Sequence, residues 1–335
     1  MKKNQRKKRR LLLTLLMLLL CGGVLGTSTY AWFTANKTVT VSDINVTVSA
    51  SNGIQVSVDG TNWKTVISND DIINAHDTYA AAVNQLPQGS NTLAPVSTIG
   101  EIDTTSGFVK MFTGDIRSNE SGDYTLAASR SIETDGTAGN FIAFDLFVQV
   151  TEDTQVYLTS NSGASAYGTS TGIENASRMA FVLEGTQPVG SALGTIQGIK
   201  ASTGSEEVVI WELNNDAHTA AAVSNAISNY GITTTAGTGN TAIPYYGVKA
   251  DIAQALNILL NSTATDYFAP VSPAISTTTE GIPASAYQEL LELPAGISKV
   301  RIYMWLEGQD VDCENNASGG SVTFNVQMSS LESAN

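Results

Sequence analysis

Apolar and polar residues alternate with period two along much of the chain. Val39–Val48 places Ile44, Val46 and Val48 on one face, and Ile54, Val56 and Val58 repeat the pattern. Asp59-Gly60 then predicts a tight turn, because glycine accepts positive φ without steric cost. The clearest alternation is Phe141–Val150, where Ile142, Phe144, Leu146, Val148 and Val150 share a face. Further strands are predicted at 155–158, 178–183, 208–213, 300–306 and 322–328. Many short strands separated by Gly, Asn, Ser and Thr predict a mainly β protein: a jelly-roll-like antiparallel β-sandwich.

Helical spacing interrupts this pattern in three places. Residues 70–86 carry Ile72, Ile73, Tyr79, Ala80 and Val83 before Pro87, residues 215–230 are Ala-rich before Gly231, and residues 251–260 carry Ile252, Ala255, Leu256 and Leu259. These predict short helical insertions decorating one domain, with a shorter helix at 284–291. Two segments echo each other weakly. Arg178–Gly185 resembles Arg301–Gly308, which reads as two similar strands ending in a Glu-Gly turn.

The first 31 residues differ from the rest. Seven of the 17 basic residues of this 335-residue chain fall in the first ten positions, and no acidic residue precedes Asp43. An apolar run follows from Leu11, then small residues. This basic–apolar–small order predicts a secretory signal peptide over 1–31 and one β-sandwich domain over 32–335. Thr29 and Ala31 stand at −3 and −1 of a cut before Trp32, with Tyr30 between them. The membrane is then met only through the leader before cleavage. The alternative is a retained N-terminal anchor. Cys21 lacks the small preceding residue of a lipobox.

Loss of the leader changes the charge. Ten basic residues then face 31 acidic ones, a formal charge near −21. Such a surface keeps an exported chain soluble and excludes nucleic acid as a partner. Only Cys313 remains, so no intrachain disulfide forms, and a small buried side chain is expected there.

Residues able to carry chemistry are sparse. His76 and His218 have no close partner ligand, and no His-Glu-x-x-His run or phosphate loop occurs. The chain therefore reads as a non-enzyme without a resident cofactor. One candidate ligand set is Asp310, Asp312 and Glu314, whose alternate oxygens suit Ca²⁺ in a loop. The competing reading of that run is a solvated turn. Trp63, Trp211 and Trp305 lie in predicted strands and read as core.

The segment Thr29-Tyr-Ala-Trp-Phe-Thr34 behind a long apolar leader resembles the processing site of the TasA/camelysin group of exported Gram-positive proteins. The resemblance implies cleavage by a dedicated signal peptidase of the endoplasmic-reticulum type. It also implies a jelly-roll-like domain that polymerises into biofilm matrix fibres, the N-terminal strand of one subunit completing the sheet of the next. The camelysin branch is described as a metalloprotease, but no zinc motif is present here. An alternating strand just behind the cut suits such assembly, since an unpaired strand edge templates another strand. Val39, Val41, Ile44, Val46 and Val48 are the residues expected to set its register. The expected function is a secreted, cell-surface-associated fibre subunit forming a homopolymer. The alternative is a monomeric surface module binding sugar or a host protein.

Overall fold

The computed structural model describes residues 39–40 and 45–331, apart from 52, 87–91, 119–123, 134–138, 167, 215–217, 225–245, 258–263, 278–281, 283–286 and 315–319. The cleavage residues Thr29, Tyr30, Ala31 and Trp32, and Val41 and Ile44, lie outside the described residues. Among those described, no helix is long and apolar enough to cross a membrane.

The protein is mainly β, as the alternation predicts. Two six-stranded sheets stack face to face. The first runs Gln288–Leu293, Thr154–Leu158, Val322–Ser329, Asn45–Ala50 and Val66–Ile67, with Gly163–Ala166 also paired to Val322–Ser329. The second runs Ile275–Ser276, Val208–Glu212, Ser177–Gln187, Gly296–Leu306, Ile142–Val150 and Gln55–Ser57. Alternate residues of both sheets meet between them. Val48, Val156, Phe324 and Val326 come from the first sheet; Phe144, Leu146, Val148, Phe181, Trp211, Ile302 and Met304 come from the second. Each such side chain contributes about 1.5–3 kcal/mol when fully buried.

The two echoing segments are neighbours in the second sheet. They pair antiparallel, with Arg178 opposite Trp305 and Phe181 opposite Ile302. The sheets are not wholly antiparallel. Asn45–Ala50 runs parallel to Val322–Ser329 in register from Asn45↔Thr323 to Ala50↔Met328. The two strands come from opposite ends of the chain, so no hairpin forces them antiparallel.

The second sheet is covered on its outer face as well. Phe141, Ala143, Ala180, Val182, Tyr303 and Trp305 form a further core there with Val96, Ile102, Val109 and Met111. A third sheet of four strands, Ile252–Asn257, Tyr124–Ser131, Met111–Ser118 and Val96–Ser97, adds a smaller core around Phe112, Leu126 and Phe268. Its two long strands carry too few large apolar residues for their alternation to stand out in the sequence.

The helical expectations need correction. Residues 70–86 hold only a short α-helix, Asn69–Ile73, and a 3₁₀ turn, Asn74–Asp77. Ser68 and Asp71 form a capping box that starts the helix. Tertiary bonds then pull the chain off the helical path: the Tyr79 hydroxyl reaches Asp145, and Gln85 bridges Ala143. Of residues 251–260, Ile252–Asn257 form a strand paired with Tyr124–Ser131, while 258–260 lie outside the described residues. Spacing of four residues fits one face of a helix and of a strand alike, so Ile252 and Leu256 do not discriminate; Ala255, needed inside for a helix, is exposed. Of 284–291, residues 288–291 belong to the strand Gln288–Leu293, while 284–286 lie outside the described residues. Of 215–230, residues 220–224 are helical, while 215–217 and 225–230 lie outside the described residues.

Candidate functional site

The polar alternate positions of the second sheet, together with the loop after Gly296–Leu306, build two buried ionic clusters. The first lies where Ser177–Gln187 begins and Gly296–Leu306 ends. Arg178 projects from the outer face and is fully enclosed. Its Nη2 donates to Glu212 Oε1 at 2.6 Å and to Asp310 Oδ2 at 2.5 Å. Its Nη1 donates to the carbonyls of Asn175 and Ser177. Glu212 shares that face because it sits opposite Arg178 in the next strand.

The loop after Leu306 folds back under these groups. Glu307 accepts Trp305 Nε1–H at 3.0 Å and the Gln309 amide at 3.1 Å. Asp310 Oδ1 accepts the Asp312 amide at 2.8 Å. Asp312 Oδ2 lies 2.6 Å from His218 Nδ1, and its Oδ1 accepts the Thr219 amide at 2.9 Å. Thr219 in turn caps the helical turn at 220–224 by accepting the Ala222 amide. Gly172, at φ +90°, lets the chain pass; a Cβ there would meet Thr219 Cγ2 at 2.4 Å.

The loop 307–314 is therefore not a solvated turn. Asp310, Asp312 and Glu314 are 2%, 1% and 1% exposed. The structure brings the expected ligands Asp310 and Asp312 together and adds His218, all with ligand atoms within 4.8 Å of one another. It also places a partner from the chain itself beside each: Arg178 on Asp310 and His218 on Asp312. Buried charges are costly unless paired, and these are paired internally. Burial alone would push His218 down, but the hydrogen bond with Asp312 and the charges of Asp310 and Asp312 raise it. Burial raises the Asp312, Glu212 and Glu307 carboxyls, Glu307 to about 7. Cys313 is buried, as expected of a small apolar side chain. Trp211 and Trp305 are fully buried, and Trp63 packs at the edge of a small core.

The second cluster was not legible in the sequence. Asp145, Glu184, Lys299 and Arg301 point from three adjacent strands to the outer face and meet under the 79–86 and 196–201 segments. Lys299 Nζ lies 2.9 Å from Asp145 Oδ2 and 3.0 Å from Glu184 Oε2. The second contact misses hydrogen-bond alignment. Nζ also donates to Tyr79 Oη at 3.1 Å and to the Ile199 carbonyl at 2.8 Å. Arg301 Nη1 holds Asp145 Oδ1, and its Nη2 holds Glu133. Tyr79 donates to Asp145 Oδ2 at 2.9 Å. Burial pushes Glu184 up to about 7, helped by the Asp145 charge. Burial would raise Asp145 too, yet Arg301 and Lys299 hold it below its ordinary value. Burial would lower Lys299, but Asp145 and Glu184 outweigh that and raise it.

The expected assembly residues that are described all pair within this chain. Val39 sits opposite Leu93, Val46 opposite Phe324 and Val48 opposite Val326. A surface groove of about 370 Å³ lies beside this sheet, lined by Asp59, Asn62, Lys64, Asp71 and Asp77 among others. Asp59 is committed there to the turn: it accepts the amides of Thr61 and Asn62 at 2.8 and 2.7 Å.

No family model matches the chain, and neither the curated proteins nor the solved structures hold a match to it.

Proposed function

We propose that the chain is exported, trimmed behind Ala31 by a signal peptidase of the endoplasmic-reticulum type, and released as a structural subunit of an extracellular matrix or surface fibre. Subunits join as a homopolymer by exchange of the N-terminal strand. The carrying observation is the place of Asn45–Ala50. It lies inside the first sheet, bonded on one side to the last strand of the domain and on the other to two residues, Val66 and Ile67. No hairpin ties it to Val322–Ser329. Main-chain pairing and the burial of Val48 and Ala50 hold it there instead. The same bonds form when the strand arrives from another copy, and a head-to-tail exchange of this kind does not close, so it gives filaments. The proposal assigns no enzymatic step and no cofactor.

Negative-stain microscopy of the mature chain tests it. Fibres are expected, and deletion of residues 32–50 should abolish them while a synthetic 32–50 peptide added to the mature chain should cap growth. A mature chain that stays monomeric at every concentration overturns the assembly. The groove lined by Asn62 and Asp77 favours a second reading, a monomeric surface module for sugar or a host protein; glycan-array binding by such a monomer would support it.

A further inference from the structure

We propose that Lys299 and Asp145 condense into an intramolecular amide that covalently joins the strands Gly296–Leu306 and Ile142–Val150, with Glu184 as the proton relay. Asp145 stands directly opposite Arg301, so Lys299, two residues earlier, is its diagonal neighbour on the same face. A lysine side chain spans that diagonal. The observed 2.9 Å between Nζ and Oδ2 brings the nucleophile to the carboxyl it would attack.

The surrounding groups enclose the pair, but they raise Lys299 and lower Asp145, so condensation has to begin with loss of a proton from Nζ. Lys299, Asp145 and Glu184 are 5%, 1% and 8% exposed, so bulk water is kept from the product amide. Arg301 Nη1 sits on Oδ1, where negative charge develops in the tetrahedral intermediate. The Tyr79 hydroxyl donates to Oδ2, the oxygen that must leave. Glu184 Oε2 is 3.0 Å from Nζ but out of hydrogen-bond alignment, so Nζ has to turn from Tyr79 or the Ile199 carbonyl to hand it a proton. Burial raises that carboxyl to about 7, which suits a group that takes and returns a proton near neutrality.

The step balances without a co-reactant. Nζ gives up two of its three protons, and both end on Oδ2, one of them relayed by Glu184. The Nζ–Cγ bond forms, the Cγ–Oδ2 bond breaks, and one water leaves. Oδ1 remains as the amide oxygen and Glu184 ends as it began. An ion pair is replaced by a neutral amide. Arg301 keeps Glu133 as its remaining carboxyl partner, beside Glu184. The staple suits a chain whose mature form holds the single cysteine Cys313 and so forms no internal disulfide. It stands whether or not the subunits polymerise.

Mass spectrometry of the secreted chain tests the bond directly. The intact mass should fall short, by one water, of the mass calculated for the chain from its own N-terminal residue. A tryptic digest should hold the Lys299 peptide joined to the Asp145 peptide, with the backbone uncut after Lys299. Glu184→Gln, which keeps the shape, should lower the joined fraction at least tenfold, and Lys299→Arg should abolish it. A wild-type chain of full mass, with separate Lys299 and Asp145 peptides, overturns the proposal. Joining in Glu184→Gln at the wild-type rate overturns the relay.

Discussion

Raising the pH from 5 to 8 should destabilise the protein, and Glu307 should account for a defined share of the loss. Its carboxyl is fully enclosed beneath Trp305. Burial lifts it from 4.5 to about 7, against hydrogen bonds from Ser97, Trp305 and the Gln309 amide that act to lower it. In the unfolded chain it titrates near 4.5. Between these values the folded state holds a proton that the unfolded state has lost. The contribution is therefore complete below about 4.5, falls through the window and is gone above about 7. The slope is about −1.4 kcal/mol per pH unit, and the whole contribution is about 3 kcal/mol. His218 and Glu184 are also raised and act with the same sign. Asp59 and Asp145 are held low, so they act only at more acid pH. Urea unfolding at fixed pH values should be compared between wild type and Glu307→Gln. The amide sets an NH₂ group against one N–H donor and lowers the whole curve by about 1–3 kcal/mol at every pH. The readout is the slope, which should be shallower in the variant by about 1.4 kcal/mol per unit. Parallel curves would refute the claim that this buried carboxyl carries a proton at pH 6.

Arg178→Met should cost about 3–5 kcal/mol, since it strands Glu212 and Asp310 without their cation; denaturant unfolding at pH 7 measures it, and a loss under about 1 kcal/mol would show that the ion pairs are idle. Gly172→Ala should destabilise by about 1–3 kcal/mol and lower the melting temperature, because φ +90° is strained for alanine and its Cβ would collide with Thr219; an unchanged melting temperature would mean that the chain relaxes there freely. Calcium at Asp310, Asp312 and Glu314 would have to displace Arg178 and His218. Millimolar Ca²⁺ or a chelator is thus expected to leave the melting temperature unchanged, and a rise of several degrees with Ca²⁺ would restore the cation site.

Alternation alone marked the strand Ile142–Val150 and the face it turns inward. Ile142, Phe144, Leu146 and Val148 lie in the sandwich core because a period of two puts every second side chain on one side of a pleated sheet. The same pattern marked Val322–Met328 and Val300–Leu306. It misled at Ile252 and Leu256, whose spacing serves both periods, and the pairing partner Tyr124–Ser131 decided for the strand. Pattern gives a face but not its cover. Asp145, Glu184, Lys299 and Arg301 read along the chain as ordinary polar positions of a solvated side. Only the packing of the 79–86 and 196–201 segments over the second sheet encloses them, and only strand register brings residues up to 156 apart into contact. The acid run 307–314 carries the same lesson. Its carboxylates are visible in the sequence, whereas the buried Arg178 and His218 that face them come from distant segments, because long-range contacts are chosen by the fold and not by neighbours in the chain.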